Sequence, residues 1–244
     1  MIQLSKRLQA VADLGKFGDT MADIGTDHGY IPIYLIQSKR ISHAVAMDIG
    51  KGPLLRAQEH IAKYQLGAYI ETRLSDGAKE LCCGEVSSIV IAGMGGVLMQ
   101  KILRDSEEVF RGVKEIILQP QSEIEQTRRF LLDNGYEILE EDMVLEDGKY
   151  YPMMRISCVE SIEENPYAKA KDIDFVYGAY LLKERHPVLR SYLHREIGIY
   201  RELEQKLKDL PANEELEKRR REVSCQLALA EEALIKVGET DEMQ

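Results

Sequence analysis

Apolar runs alternate with helix-like segments over the first 135 residues, and this alternation constrains the fold more than any other feature of the chain. Short apolar runs that predict strands lie at positions 21–25, 43–48, 69–74, 87–92 and 113–119. Amphipathic patterns that predict helices lie near positions 30–38, 52–65, 95–104 and 122–134. Such an order is typical of an α/β fold, in which a parallel sheet is covered by helices on both faces.

The alternation stops after Gly135. Positions 136–144 and 149–159 have the pattern of two strands, and Asp147-Gly148 between them is a hairpin turn signal. An antiparallel pair is therefore expected to close the parallel sheet. A further amphipathic helix is predicted at the start of the chain, before the first strand.

From about Asn165 the chain has a helical character. One segment carries apolar residues at the spacing of a coiled-coil seam, namely Leu216, Val223, Leu227, Ala230, Leu234 and Val237. A second apolar helical pattern precedes it at positions 189–210, and Pro211-Ala212-Asn213 separates the two. We therefore predict a sheet domain over residues 1–160 and an antiparallel helical hairpin with coiled-coil packing within residues 161–244.

Composition excludes several classes of protein. The net charge of −10 is not that of a generally basic nucleic-acid binder, so any such contact must come from a local patch. No apolar run approaches the roughly 20 residues of a membrane span, and the N-terminus lacks the apolar core of a signal peptide, so we expect a cytoplasmic protein. The four cysteines contain no CxxC pair, so we expect no metal site, and we expect reduced, mostly buried thiols.

The first predicted strand leads into a glycine-containing turn with two carboxylates, Asp23 and Asp27. Gly25 and Gly29 complete the pattern D-x-G-x-D-x-G, in which a ligand can approach the backbone and the helix that follows. The pattern differs from the G-x-G-x-x-G of dinucleotide sites, and its carboxylates would repel a pyrophosphate. They favour a cationic ligand such as S-adenosylmethionine, which carries a sulfonium, an amino group and a ribose. The alternative is an ordinary strand–helix turn with a solvated Asp27.

Three later loops fall on the same predicted sheet edge. Asp48 ends the second strand, where a carboxylate can accept both ribose hydroxyls, although it could also cap a helix. Asp76-Gly77 could accept the amino group of an adenine, although Asp-Gly is also a common turn. The turn over positions 92–96 has three glycines, which either admit a flat ligand or allow close packing of helix on strand.

Several segments together resemble the bacterial tRNA (adenine(22)-N1)-methyltransferase family over essentially the whole chain. They are LSKRLQAVADL, DIGTDHGY, the Gly52-Pro53 pair, IAGMGG, LQPQ and DGKYY. The resemblance implies a Rossmann-like class I methyltransferase domain, S-adenosyl-L-methionine as donor and tRNA as acceptor. The cofactor positions it implies are Asp23, Gly25, His28, Asp48, Asp76, Gly77, Ala92, Gly93 and Met94.

The acceptor atom that this resemblance implies, adenine N1, has an in-plane lone pair and needs no base before it attacks a methyl group. Asp27, His28 and Tyr30 directly follow the cofactor loop and are candidate catalytic residues, although a purely structural role is equally open for each. The fourth loop lacks the Asn/Asp-Pro-Pro-aromatic turn usual in enzymes that methylate exocyclic amines, which agrees with a ring-nitrogen target.

The acidic chain has local basic segments that could hold tRNA. Positions 183–208 carry a net charge of +3, and Lys218–Arg221 adds a second cluster. The candidate tRNA-binding residues are Lys183, Arg185, Arg190, Arg195 and Arg201. The alternative is a solvated flank of the helical hairpin, as most charge runs are.

Other functions stay open at this stage. The chain could methylate another RNA, a protein or a small molecule, or it could be a non-catalytic nucleotide-binding module whose helices recruit a protein. A nicotinamide-dependent oxidoreductase is disfavoured because the G-x-G-x-x-G pattern is missing and Asp27 is present. The sequence leaves the oligomeric state open.

Overall fold

A computed structural model describes residues 1–158, 165–208, 210–211 and 213–238 of the chain. The chain forms two compact units, Met1–Asn165 and Pro166–Gln244. The predicted boundary between positions 160 and 161 lies outside the described residues, as do Val159 of the second hairpin strand and Ala212 of the helical connection.

The N-terminal unit is built on one seven-stranded sheet in the order β3-β2-β1-β4-β5-β7-β6. The first five strands are parallel, and β7 runs antiparallel to both β5 and β6. The predicted parallel sheet with an antiparallel pair is confirmed, and the order of the first five strands is that of a Rossmann-like doubly wound sheet. The strands are β1 (Thr20–Ile24), β2 (His43–Asp48), β3 (Ile70–Leu74), β4 (Ser88–Met94), β5 (Glu115–Pro120), β6 (Glu137–Glu146) and β7 (Lys149–Ser157).

The helices of this unit lie between the strands much as the periodicity predicts. Their bounds are α1 (Lys6–Leu14), α2 (Tyr30–Gln37), α3 (Lys51–Lys63), α4 (Gly96–Asp105), α5 (Glu107–Arg111) and α6 (Ile124–Asp133). The one-turn helix α5 has no counterpart among the predictions, because five residues are too few to show a helical period. Helix α1 begins where the Ser5 hydroxyl accepts a hydrogen bond from the Leu8 N–H, as an N-cap does.

The core follows from the near-continuous apolar character of the two central strands. Ile89, Val90 and Ile91 of β4 are fully buried, as are Ile116 and Ile117 of β5. A strand covered by helices on both faces must be apolar at successive positions rather than at alternate ones. The central strands therefore form the core of the unit, and buried Asp23 lies near the carboxyl end of β1.

The expectation of mostly buried cysteines is wrong. Cys82, Cys83 and Cys225 are exposed and Cys158 is half-buried, and all four are free thiols. Cys82 and Cys83 lie in the surface segment between β3 and β4, and Cys225 lies on the exposed side of the last helix. Cysteine prefers the interior only on average, and these positions lie outside the two cores.

The described residues of the C-terminal unit form a short 3₁₀ turn and four helices, α7 (Asp172–Tyr177), α8 (Ala179–Lys183), α9 (Pro187–Lys208) and α10 (Glu214–Val237). Contacts between α9 and α10 pair Arg190 with the carbonyl of Val237 and the carboxylate of Glu231 with Arg201. Positions early in α9 therefore face positions late in α10, which confirms the antiparallel hairpin. The predicted coiled-coil supercoil stays a prediction.

The connection between α9 and α10 is fixed at both helix ends. The Arg220 guanidinium donates to the carbonyl oxygens of Leu207 and Leu210, near the end of α9, at 2.7 and 3.0 Å. The Asn213 side chain accepts from the Leu216 N–H at 2.8 Å and so caps the start of α10. Both contacts satisfy backbone groups that a helix end otherwise leaves unpaired.

Candidate functional site

The carboxyl ends of β1, β2 and β4 meet at one edge of the sheet. Ile24 lies beside Met47 of β2 and beside Ile91 of β4 in the strand register. The N–H groups of Gly25 and Thr26 both donate to the carbonyl oxygen of Met47, at 2.8 and 2.9 Å. The first loop is thereby fixed against the end of β2, as expected of a binding crevice in an open α/β sheet.

A buried carboxylate lies at the base of this edge. Asp23 is 4% exposed, and its Oδ2 accepts a hydrogen bond of 2.6 Å from the Thr26 hydroxyl. Burial raises the pKa of Asp23 to about 6, the Thr26 hydrogen bond opposes the rise, and the charge of Asp48 adds to it. Burial makes the ionised form of this carboxylate unfavourable, and a positively charged ligand beside it would stabilise that form.

Two glycines at this edge have left-handed backbone conformations. Gly25 has a φ of +75°, and a Cβ there would lie 2.1 Å from Cε of Met94. Gly93 has a φ of +83° at an irregularity in the pairing of β4 with β5, and a Cβ there would lie 3.6 Å from Nη1 of Arg7. Both positions favour glycine because of their backbone conformation. Gly93 leaves open space beside the sheet edge, whereas the end of the Met94 side chain covers Gly25.

The remaining glycines of the fourth loop serve packing. A Cβ on Gly95 would lie 2.9 Å from the Ser122 hydroxyl, and one on Gly96 would lie 2.4 Å from Oγ1 of Thr127. The sequence left two explanations open for the glycines of this loop, room for a ligand and close packing of helix on strand. Both apply, each to different residues. Gly93 faces the open edge, whereas Gly95 and Gly96 allow close approach to the β5–α6 segment.

The three residues predicted to be catalytic lie together at the start of α2. The Asp27 carboxylate forms an ion pair with Arg56, and its Oδ2 lies 3.4 Å from Nε2 of His28. The His28 and Tyr30 rings are nearly parallel with centroids 5.1 Å apart, and the ring of His60 lies 5.1 Å from that of Tyr30. The Nδ1 atom of His28 is buried and has no hydrogen-bond partner among the described residues.

The first and fourth loops surround a cavity of about 280 Å³. Its lining combines predicted residues of the first and fourth loops with residues of α1 and of the β5–α6 segment: Arg7, Leu8, Asp23, Gly25, Thr26, Asp27, His28, Tyr30, Ile31, Ala92, Gly93 and Gln121. The cavity thus joins the carboxyl edge of the sheet to the N-terminal helix.

Four predicted cofactor residues lie on the same edge but do not line this cavity. Asp48 is half-buried and accepts a hydrogen bond of 2.8 Å from the Gly50 N–H. Asp76 is half-buried and paired with Lys79, which lowers its pKa, and Gly77 packs near Ile102. Met94 lies over Gly25. A ligand that contacts all the predicted residues must extend from the cavity across the ends of β2 and β3.

Comparisons with known proteins identify the family to which the chain belongs. Residues 4–154 match the family model described as a methyltransferase domain. The tRNA (adenine(22)-N(1))-methyltransferase of Bacillus subtilis is 30% identical over 244 aligned residues, covering 96% of this chain and 98% of that protein. The chain belongs to the tRNA (adenine(22)-N(1))-methyltransferase family.

Solved structures of this methyltransferase family have the same fold over both units. The B. subtilis m1A22 tRNA methyltransferase TrmK is 29% identical, with a TM-score of 0.84 and coverage of 96% of this chain and 100% of that one. TrmK of M. capricolum, in complex with S-adenosyl-homocysteine, is 25% identical, with a TM-score of 0.81 and coverage of 96% and 99%. The Rossmann-like fold and the C-terminal helical region predicted from the sequence are both confirmed.

The methyltransferase cavity includes residues to which sequence reasoning gave no role. Arg7 and Leu8 come from α1, which the sequence identified only as an amphipathic helix, and Gln121 comes from the LQPQ segment. The signal for Arg7 is its place in LSKRL, one of the segments that carry the family resemblance. Nothing in the helical period distinguishes a cation that faces a cavity from one that faces solvent.

The predicted tRNA-binding residues of the methyltransferase differ in their surroundings. Lys183, Arg185 and Arg195 are exposed on α8 and α9 or between them. Arg190 donates to the Val237 carbonyl at 3.2 Å, and Arg201 lies 2.7 Å from Glu231, so both contribute to the hairpin itself. In the Lys218–Arg221 cluster, Arg220 has the capping role described above.

The described residues contain no cluster of three or more side chains suited to hold a metal ion. Among the helices within the described ranges, none combines the length and apolar character of a membrane span.

Proposed function

We propose that this enzyme transfers a methyl group from S-adenosyl-L-methionine to N1 of adenine 22 in tRNA. The observation that carries the proposal is the match to a tRNA (adenine(22)-N(1))-methyltransferase over 96% of the chain, which includes both units. The complex of the M. capricolum relative with S-adenosyl-homocysteine supports the choice of donor. The chemistry of the site supports both.

The residues at the sheet edge fit such a donor. The buried Asp23 carboxylate suits its positive charge, and the open backbone at Gly93 leaves room beside it. In this proposal Asp48, at the end of β2, accepts hydrogen bonds from the ribose hydroxyls, and Asp76, in the loop after β3, accepts one from the adenine amino group. When bound, the donor supplies an electrophilic methyl group. Its contact positions are the set predicted from the sequence, with Ala92, Met94, His28 and Gly77 completing it.

The enzyme contributes positioning more than acid–base chemistry. N1 of adenine attacks with a lone pair that needs no prior deprotonation, and correct alignment of the reacting atoms contributes on the order of 7–11 kcal/mol. N1 lies on the Watson–Crick edge, so the base has to leave its stack at a cost of about a few kcal/mol. The nearly parallel rings of His28 and Tyr30 provide a stacking surface for it in the cavity wall.

Asp27 has a separate proposed role. Methylation gives the adenine a positive charge, and a carboxylate on the cavity wall offsets that charge as it develops. The contact with Arg56 holds the Asp27 carboxylate in place beside the aromatic rings. This role is electrostatic, and it requires no proton transfer to Asp27.

The C-terminal unit supplies the cations for tRNA in this proposal. Lys183, Arg185 and Arg195 are exposed and suited to contact phosphates, while Arg190 and Arg201 act in addition through the hairpin contacts they make. Phosphate contacts of this kind give most of the non-specific affinity and make it dependent on salt.

The test uses purified enzyme, labelled S-adenosyl-L-methionine and two tRNA transcripts that differ only at nucleotide 22. We expect label in the transcript with adenosine at position 22 and none in the one with guanosine there. Because methylation at N1 blocks base pairing, reverse transcription should stop at that nucleotide. Equal labelling of both transcripts would show another target, and no labelling of either would refute a tRNA substrate.

A further inference from the structure

We propose that Arg7, in the wall of the cavity, binds a backbone phosphate of the target nucleotide. The inference rests on the proposed function and adds to it a substrate-binding residue from the N-terminal helix. Among the described residues that line the cavity, Arg7 is the one arginine or lysine. Its position results from three contacts made by distant parts of the chain.

The first contact fixes the backbone of Arg7. Its N–H, one of those that a helix start leaves unpaired, donates to Oε1 of Glu146 at 3.2 Å. Glu146 ends β6, directly before the Asp147-Gly148 turn. The hairpin therefore determines where the first turn of α1 lies, and with it the direction of the Arg7 side chain.

The second and third contacts fix the guanidinium. Nη1 donates to Oε1 of Gln119 at 2.9 Å, and the buried amide of Gln119 in turn donates to the carbonyl of Pro120 at 3.1 Å. The ring of Tyr151 lies 5.6 Å from the Arg7 guanidinium carbon. The missing side chain of Gly93 leaves space beside Nη1. Two segments that carry the family resemblance, LSKRL and DGKYY, thus meet at this one side chain.

The charge of Arg7 is available to a ligand. No carboxylate of the described residues forms an ion pair with its side chain, whereas Arg56, the cation on the other side of the first loop, is paired with Asp27. A guanidinium has five N–H donors, and the contact with Gln119 uses one of them. The planar arrangement of the others matches two oxygens of one phosphate.

A phosphate fits the site better than the adenine does. The base is neutral, and the cavity wall already offers it the His28 and Tyr30 rings. A nucleotide that brings its base into the cavity also brings its two flanking phosphates close to the cavity wall. A fixed cation there stabilises the extruded nucleotide without contacting the reacting atoms, so Arg7 is a substrate-binding residue rather than a catalytic one.

The test uses tRNA with one neutral methylphosphonate linkage, on either the 5′ or the 3′ side of adenosine 22, and the full-length enzyme. For the wild type we expect one of the two linkages to lower kcat/KM by about 10- to 100-fold, the loss of a charge-assisted contact. Arg7→Ala should show a similar loss on unmodified tRNA and no further loss on that linkage. Arg7→Lys, which keeps the charge without the planar donor group, should fall between the two enzymes.

Lys6→Ala is the matched control, since it removes a cation from the adjacent, exposed position of α1. It should keep the wild-type sensitivity to the neutral linkage. Arg7→Ala should also reduce the slope of log KM against log salt by about one, which a purely structural role would not do. Arg7 lines the same cavity as Asp23, Gly25 and Gly93, so a contact with the carboxylate of the donor is the competing explanation for its charge. Binding of S-adenosyl-L-methionine, measured by calorimetry, should be unchanged in all three variants, and a loss of donor affinity confined to Arg7→Ala would overturn the inference.

The inference is overturned if neither neutral linkage affects the wild type, or if the losses from Arg7→Ala and from the linkage multiply. Failure of the wild type to methylate unmodified tRNA would instead refute the proposed function, so the two failures are distinct. If Arg7→Ala does not fold, Arg7→Lys takes its place. A neutral linkage should then lower kcat/KM less in Arg7→Lys than in the wild type, and an equal loss in both enzymes would overturn the inference.

Discussion

Gly25→Ala separates the cost of a strained backbone from the cost of filling the cofactor site. The φ of +75° at Gly25 disfavours any residue with a Cβ by roughly 1–2 kcal/mol. For a chain of this size that corresponds to a fall in Tm of about 2–8 °C. The new Cβ also meets Cε of Met94 at 2.1 Å, so the end of the Met94 side chain has to move away from the sheet edge.

Gly84→Ala is the matched control for the backbone cost. Gly84 has a φ of +78° and no atom within 4 Å of a Cβ built on it, so its strain is similar and its surroundings are open. We expect both variants to lose similar stability in thermal unfolding followed by circular dichroism. Affinity for S-adenosyl-L-methionine, measured by calorimetry, should fall about tenfold or more for Gly25→Ala, as an overpacked site does, and stay unchanged for Gly84→Ala.

Two results would contradict this reasoning. If Gly25→Ala binds the donor as tightly as the wild type, the close approach of Met94 to Gly25 has no part in shaping the site. If Gly84→Ala loses the same affinity, the loss reflects general instability rather than local geometry. The pair of variants thus distinguishes a required glycine from a tolerated one.

Three further outcomes follow from the described contacts. Burial raises the pKa of Asp23 to about 6 in the folded protein, so its contribution to the free energy of unfolding falls as pH rises from about 4 to 6. Donor affinity should fall as pH drops below 6, because the carboxylate is then protonated. Urea unfolding and calorimetry across this range should show both trends in the wild type and neither in Asp23→Asn. Asp48→Ala should weaken donor binding about 10- to 100-fold by calorimetry, while Asp19→Ala, at the amino end of β1, should leave it unchanged, and equal affinity of the two variants would remove the ribose assignment. Arg220→Ala should destabilise the C-terminal unit by about 1–2 kcal/mol in urea unfolding because the end of α9 loses its donors, whereas Lys218→Ala should weaken tRNA binding with little change in stability; the reverse pattern would contradict both roles.

The elements of the fold were predictable because they depend on neighbours close in sequence. The apolar runs of β4 and β5 and the spacing of apolar residues in α9 and α10 appear directly in the chain, and the bounds agree to within a few residues. The sequence also identified the acidic loop at Asp23 and the carboxylate at Asp48, since the carboxyl ends of parallel strands share one edge.

The sequence did not determine which residues of separate segments come together. Arg7 contacts Gln119, 112 residues away, because β5 is paired with β7 and because the β6–β7 hairpin holds α1. The position of Met94 over Gly25 likewise depends on β1 and β4 being neighbours. Local periodicity reports which side of an element is apolar, but only the packing of distant elements decides which polar side chain faces the cavity. The sequence alone therefore predicted the ligand-binding loops at the carboxyl edge of the sheet. The tertiary structure added the residues of α1 that line the cavity beside them.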